Sequence, residues 1–256
     1  MSPLLEAHGL QLRFGAVRAL DDVAIAIWPG EVVAIVGESG SGKSSLLRVL
    51  AGQHRADAGQ VLYRAHDGTE HFILDASDAA LRRLMRADWG FVHQNARDAL
   101  RMEVSAGGNV GERLMAAGQR HYGDIRAQAA RWLERVEMDP ARIDETPKNF
   151  SGGMQQRLQI ARTLVTNPRL VFMDEPTGGL DVSVQAKLLD LIRGLVADLD
   201  IAVLLVTHDI AAARLLAHRI VVMRHGQVVE EGLTDRVLDD PQHPYTQLLV
   251  SSVLAA

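Results

Sequence analysis

Val32-Val33-Ala34-Ile35-Val36-Gly37-Glu38-Ser39-Gly40-Ser41-Gly42-Lys43-Ser44-Ser45 is the stretch that decides the fold. Five apolar residues in succession have the length of a strand and suit a parallel strand buried on both faces. Residues from Lys43 to about Leu50 then read as a helix. Gly37–Ser44 fits G-x-x-x-x-G-K-[ST], and a strand before it and a helix after it are the context that gives this pattern meaning. In such a P-loop the backbone N–H groups of Gly37, Glu38, Ser39, Gly40, Ser41 and Gly42, and of the helix start through Ser45, wrap the β- and γ-phosphates of a nucleotide. Lys43 adds a full positive charge there, and the Ser44 hydroxyl completes a Mg2+ shell.

The chain around this stretch alternates strands with helices. Leu170–Met173, Ala202–Val206 and Ile220–Met223 read as further buried strands, and Gln227–Glu231 as a final short one. Leu188, Leu189, Ile192, Leu195, Val196 and Leu199 recur at helical spacing between the first two. This order implies right-handed βαβ units and a parallel sheet. Upstream, Leu10, Leu12 and Phe14 alternate, as do Val23, Ile25 and Ile27, which suggests short antiparallel strands. Val61–Tyr63 and His71–Ile73 read as a hairpin about Asp67-Gly68. Residues 97–149 are mostly helical or loop, with Ile125, Ala129, Trp132, Leu133 and Val136 on one helical face.

The strand Leu170-Val171-Phe172-Met173 ends in Asp174-Glu175. Ligands of open α/β sheets bind at the carboxyl ends of the strands, so both carboxylates point to the phosphate site. Asp174 is expected to reach the Mg2+ shell, and Glu175 to orient or deprotonate a water that attacks the γ-phosphate. A second glycine turn, Phe150-Ser151-Gly152-Gly153-Met154, opens another helix that runs to about Val165. It has the N–H groups of an anion cradle but no lysine.

With this second cradle the chain resembles the ATP-binding-cassette ATPases along essentially its whole length. The pieces occur in the family's order: Phe14 at the adenine-stacking position, Gly37–Ser44 as the Walker A loop, Gln94 at the Q-loop, Ser151-Gly152-Gly153 as the signature, Leu170–Glu175 as the Walker B strand, Gly178-Gly179-Leu180-Asp181 as the D-loop, and His208 as the switch histidine. The resemblance implies an α/β P-loop NTPase of the cassette type, with a parallel sheet core, an antiparallel β subdomain and a helical subdomain. One domain over 4–254 is expected: 4–95 and 150–232 form the nucleotide-binding core, 96–149 the helical subdomain, and 233–254 a helical tail. Mg2+ and ATP are the implied cofactors, with Ser44, Gln94 and Asp174 toward the metal. Glu175, His208 and Gln94 carry the implied chemistry. The resemblance also implies a head-to-tail homodimer, in which the Walker A loop of one copy and Ser151, Gly152, Gly153 and Asp181 of the other enclose each ATP. Two residues depart from the family's Leu-Ser-Gly-Gly-Gln: Phe150 keeps an apolar anchor, whereas Met154 loses a polar contact near the partner's nucleotide.

Composition narrows the partner. With 27 Lys and Arg against 32 Asp and Glu, a net charge of −5, no nucleic-acid surface is expected. The absence of cysteine excludes disulfides, a Cys-based zinc site and an Fe–S cluster held by this chain. No signal peptide and no apolar run of membrane-spanning length are visible, so a cytoplasmic protein that does not itself insert in a membrane is expected. The tail Pro241-Gln242-His243-Pro244-Tyr245-Thr246 resembles that of dipeptide- and nickel-importer ATPases, which work on a transmembrane permease. The stretch Asn95–Val110 lacks the importers' Leu-Asn-Pro element. Phe150–Arg162 and the D-loop Gly178–Asp181 resemble instead the cassette subunits of phosphonate carbon–phosphorus lyase systems. Those associate with a soluble lyase core, and the expected role is ATP-driven remodelling of that core.

Overall fold

The apolar alternation near the N-terminus becomes two long strands, β1 (Leu5–Phe14) and β2 (Val17–Ile27), paired antiparallel. They are longer than the short strands expected. Left-handed residues at Gly9 and Asp22 lie where the β1–β2 register shifts, so an irregularity bends the ribbon instead of ending it. The computed structural model describes residues 2–254. These fall into two compact units, the residues up to Leu81 with those from Asp200 on, and Arg82–Leu199.

In the first unit β3 (Val32–Val36) is buried along its whole length and leads through the glycine loop into α1 (Lys43–Leu50). The hairpin about Asp67-Gly68 forms as expected, from β4 (Ala58–Arg64) and β5 (Glu70–Phe72), with Tyr63 opposite His71. β4 also pairs with β1, so the four antiparallel strands run β2-β1-β4-β5.

Helix α2 (Asp78–Ala87) leads into the second unit. There β6 (Trp89–Val92), α3 (Ala106–Ala116), α4 (Tyr122–Arg135), α5 (Gly152–Leu164), β7 (Leu170–Asp174) and α6 (Val182–Leu199) follow in order. β6 and β7 are parallel, with Val92 opposite Met173. The expected face of α4 is buried through Ile125, Ala129, Trp132 and Leu133. Arg113 of α3 donates to the Trp89 carbonyl at 3.1 Å. Burial, and then the nearby Arg162, hold its guanidinium down to about 10.

The chain returns to the first unit with β8 (Ala202–Val206), α7 (Ile210–Leu216), β9 (Arg219–Arg224), β10 (Gln227–Leu233), α8 (Thr234–Asp239) and α9 (Pro244–Leu254). β3 lies between β8 and β9 and is parallel to both; β10 pairs antiparallel with β9 and runs two residues beyond its expected end. β3, β8 and the middle of β9 are fully buried, as both faces of a parallel sheet require. Arg219 pins the base of this sheet, with Nε on Glu31 at 2.8 Å and further donations to Glu231 and the Ala26 carbonyl.

Candidate functional site

The glycine loop is shaped by its own backbone. Gly37, Gly40 and Gly42 have φ of +148°, +81° and +105°, in the left-handed region that side-chain-bearing residues avoid. A Cβ on Gly37 would lie 2.2 Å from the Met223 carbonyl oxygen, and one on Gly42 2.3 Å from that of Ala19. Both glycines are therefore required by close approach as well as by φ. The turn closes through Ser41 N–H on the Glu38 carbonyl, at 3.2 Å, and Gly226 N–H buttresses it from behind on the Ser41 carbonyl, at 2.9 Å.

Gly42 is also the N-cap of α1, and having no side chain it makes no side-chain cap. The first N–H groups of α1 thus face a cradle with a positive helix end. Lys43 is buried, and its Nζ donates to the Gly37 and Glu38 carbonyls, at 2.8 Å each, which holds the charge over the loop. The buried Ser41 Oγ has no protein hydrogen-bond partner. A helix start with no side-chain cap from Gly42, a buried cation and an orphaned hydroxyl fit an anion of several oxygens, as the phosphates of a nucleotide are.

β8 runs parallel beside β3, with Val206 opposite Ile35, so Thr207-His208 and the loop leave the sheet at the same edge. Thr207 N–H donates to the Ile35 carbonyl at 3.2 Å, and Asp209 caps α7 through Ala211 N–H at 2.8 Å. His208 is exposed between these two fixed points. Phe14 departs from the alternation that suggested an inward position: Leu10 and Leu12 are buried, but Phe14 is 52% exposed. It stands at the β1–β2 turn with its ring edge-on to His54, centroids 6.1 Å apart. An exposed ring is what a stacking platform for a base requires.

The second unit collects the other predicted side chains. Asp174, the last residue of β7, is buried. Glu175 follows in a left-handed conformation, φ +44°, and its Oε2 accepts from Gln94 Nε2 at 3.1 Å. The parallel pairing of β6 and β7 brings Gln94 and Glu175 together across 81 positions of chain. Ser44, Gln94 and Asp174 offer hydroxyl, carboxamide and carboxylate oxygens, the hard donors that Mg2+ selects. Among the described residues no group of three or more His, Cys, Asp and Glu forms a cage.

Ser151, Gly152 and Gly153 open α5, as expected, but the detail differs. Ser151 Oγ accepts from Met154 N–H at 3.3 Å, so part of this helix end is already capped. A Cβ on Gly153 would lie 2.6 Å from a Val184 methyl, so this glycine serves the packing of α5 on α6, just after Asp181. Ser151, Gly152 and Asp181 are exposed. The two departures at Phe150 and Met154 meet one guanidinium: Arg142 lies 4.7 Å above the Phe150 ring and donates to Met154 Sδ at 3.3 Å. Glu145 fixes that guanidinium with two bonds of 2.8 Å, and is itself held below the usual carboxylate range by it.

Three buried glutamines of α5 escaped the sequence reading. Gln159 Oε1 accepts from His93 N–H at 2.9 Å, and Gln159 and Gln156 Nε2 donate to the His93 carbonyl at 3.0 and 3.1 Å. Gln155 Nε2 donates to the Pro147 and Phe150 carbonyls at 2.9 and 3.1 Å. The residue before Gln94 and the entry to Ser151 are thus bolted to one helix. Polar residues at core-facing helical spacing were the available signal.

Residues 20–178 match the ABC transporter family. The chain is 61% identical over 252 residues, 98% of each chain, to PhnK, an ATP-binding protein of Escherichia coli (strain K12) named for phosphonates utilization. It is 38% identical to an ATP-binding protein of Brucella ovis named for peptide import, over 98% of this chain and 78% of that one. Among solved structures it is similar to a dimeric ATP-binding cassette in a post-hydrolysis state with ADP and Pi bound. The TM-score is 0.78 at 30% identity, over 90% of this chain and 98% of that one.

Proposed function

The chain belongs to the ABC transporter family of ATP-binding cassettes and is an ATPase, and from that premise we propose that it is the ATP-hydrolysing cassette of a carbon–phosphorus lyase complex, serving organic phosphonate catabolism. The observation that carries this reading is the 61% identity, over 98% of both chains, to a protein named for phosphonates utilization. No cysteine is present to hold an Fe–S cluster, so the bond cleavage itself falls to another subunit.

The residues divide the work by their chemistry. Lys43 and the N–H groups of the glycine loop and the α1 start hold the triphosphate, with Phe14 against the base; the Glu38 and Ser41 N–H groups, expected in the cradle, are engaged within the protein instead. Glu175 orients or deprotonates the attacking water, and the bond from Gln94 aims its carboxylate. His208 stands by the γ-phosphate. Ser44, Gln94 and Asp174 would hold Mg2+, which would supply charge neutralisation on the phosphates. Two copies pair head to tail, so that Ser151, Gly152, Gly153 and Asp181 of one close over the nucleotide of the other. The exposure of Ser151, Gly152 and Asp181 and the dimeric cassette of similar fold support this pairing. ATP then favours the closed dimer and hydrolysis releases it. The described residues hold no helix long and apolar enough to cross a membrane, and the proposed place of action is the cytoplasm. The cassette is one domain over 4–254, with 96–149 as its helical subdomain.

The docking surface is the stretch after Gln94. Asn109, fully buried, accepts from Arg101 N–H at 2.8 Å and donates to the Arg101, Val104 and Ser105 carbonyls, which fixes the loop. Arg97, Asp98, Arg101 and Glu103 are left exposed on it. A second reading, an importer motor on a permease, is favoured by the relative named for peptide import and by the tail motif. Affinity capture of the tagged chain from cytosol and from membranes separates the two. Recovery of lyase core subunits is expected, and recovery of a permease without them overturns the lyase reading.

A further inference from the structure

The tail motif Pro241–Thr246 takes no part in the chemistry above, yet it reaches the phosphate loop. Glu230 of β10 anchors its start: Oε1 accepts from Gln242 N–H at 2.8 Å and Oε2 from His243 N–H at 3.0 Å. Burial acts to raise this carboxyl, but the Gln242 N–H, the Thr246 side chain and the His243 N–H together outweigh it and hold it below the usual carboxylate range. His243 Nδ1 then accepts from Tyr245 N–H at 3.1 Å. The Tyr245 side chain is buried, with the Arg224 guanidinium 4.9 Å from its ring centroid.

The Tyr245 hydroxyl accepts from Glu38 N–H at 2.9 Å, across 207 positions of chain. That N–H belongs to the same planar peptide as the Gly37 carbonyl. In a trans peptide the two point in opposite directions. The N–H side is therefore held by the tail, while the carbonyl side receives Lys43 Nζ at 2.8 Å. Gly37 offers little resistance of its own to rotation of this plane, since glycine populates most of backbone space. A phenol bonded to one end of the plane fixes the aim of the other.

We propose that Tyr245 is a positioning residue for nucleotide binding: its hydroxyl locks the Gly37–Glu38 peptide, and through it the place of Lys43 in the phosphate cradle. Tyr245 acts through the Gly37–Glu38 peptide rather than on the nucleotide itself. The proposal rests on the phosphate-loop reading and is independent of the partner. Tyr245→Phe removes only the hydroxyl. In the full chain it is expected to weaken ADP binding in calorimetry about three- to tenfold, the worth of one ordinary hydrogen bond. KM for ATP rises by a similar factor, and kcat at saturating ATP stays within about twofold of the parent chain. Unchanged ADP affinity in a folded variant overturns the proposal, and so does a fall in kcat with KM unaltered. Amide hydrogen exchange of the parent chain tests it without a variant: Glu38 N–H is expected to be protected before nucleotide is added, and rapid exchange overturns the assignment. ADP binding by the parent chain tests the phosphate-loop reading itself, so failure of one is distinguishable from failure of the other.

Discussion

Gly37–Ser44 and Ser151–Gly153 are both glycine turns that open helices, and both bring backbone N–H groups to a helix N-terminus. The first is enclosed. Its glycines are forced by positive φ and by carbonyl oxygens behind them, its N-cap has no side chain, and a buried lysine lies across it. The second is open. Its serine caps its own helix, its second glycine packs against Val184, and it contains no lysine. The same local motif is thus an enclosed, positively charged cradle in one place. In the other it is an exposed turn, whose proposed role is to close over the nucleotide of a second copy. What separates them is the rigid backing that β9 and the tail give the first.

The sharpest way to strain this comparison is to stop hydrolysis. Glu175→Gln is expected to lower phosphate release about 10²- to 10⁴-fold while ATP still binds. An ATP-bound dimer should then accumulate in size-exclusion chromatography. Phosphate release like that of the parent chain removes Glu175 as the base, and failure to dimerise argues that the second turn does not read ATP.

Lys43→Ala attacks the enclosed site directly. Charge-assisted bonds to phosphate are worth about 1.5–3 kcal/mol each, so nucleotide affinity in calorimetry should fall roughly 10- to 100-fold. Unchanged affinity would mean that the loop is not the phosphate site.

Ser151→Ala is the milder probe of the open turn. Loss of the cap costs about 1 kcal/mol of stability, read as a lowered midpoint in denaturant. ADP affinity of the isolated chain should stay as it was, and ATP-dependent dimerisation should weaken. A fall in ADP affinity as large as that of Lys43→Ala would abolish the distinction between the two turns.

The phosphate loop was legible because its meaning is local: β3, the glycines, Lys43 and α1 are contiguous, and local φ and helix geometry are properties of short segments. Glu175 was legible at the end of an apolar strand and Ser151 as a second glycine turn, whereas Gln94 and His208 were legible only through resemblance, since no short-range rule marks them. Phe14 shows the limit of periodicity. Alternation continues through Leu10 and Leu12, but the sheet face that buries them ends before the turn, and the ring stays exposed. The departures at Phe150 and Met154 looked independent in the chain, and Arg142 joins them in space.

The sequence by itself determined the P-loop, the alternation of strands and helices, and the family. Each is encoded by residue types at short, fixed spacing, where covalent geometry and hydrophobic periodicity suffice. Tertiary structure alone decided that Gln94 meets Glu175, that the α5 glutamines bolt His93, and that Tyr245 holds Glu38. Those contacts span tens to hundreds of residues. They arise from strand pairing and from the need of buried polar groups for partners, which no local pattern specifies.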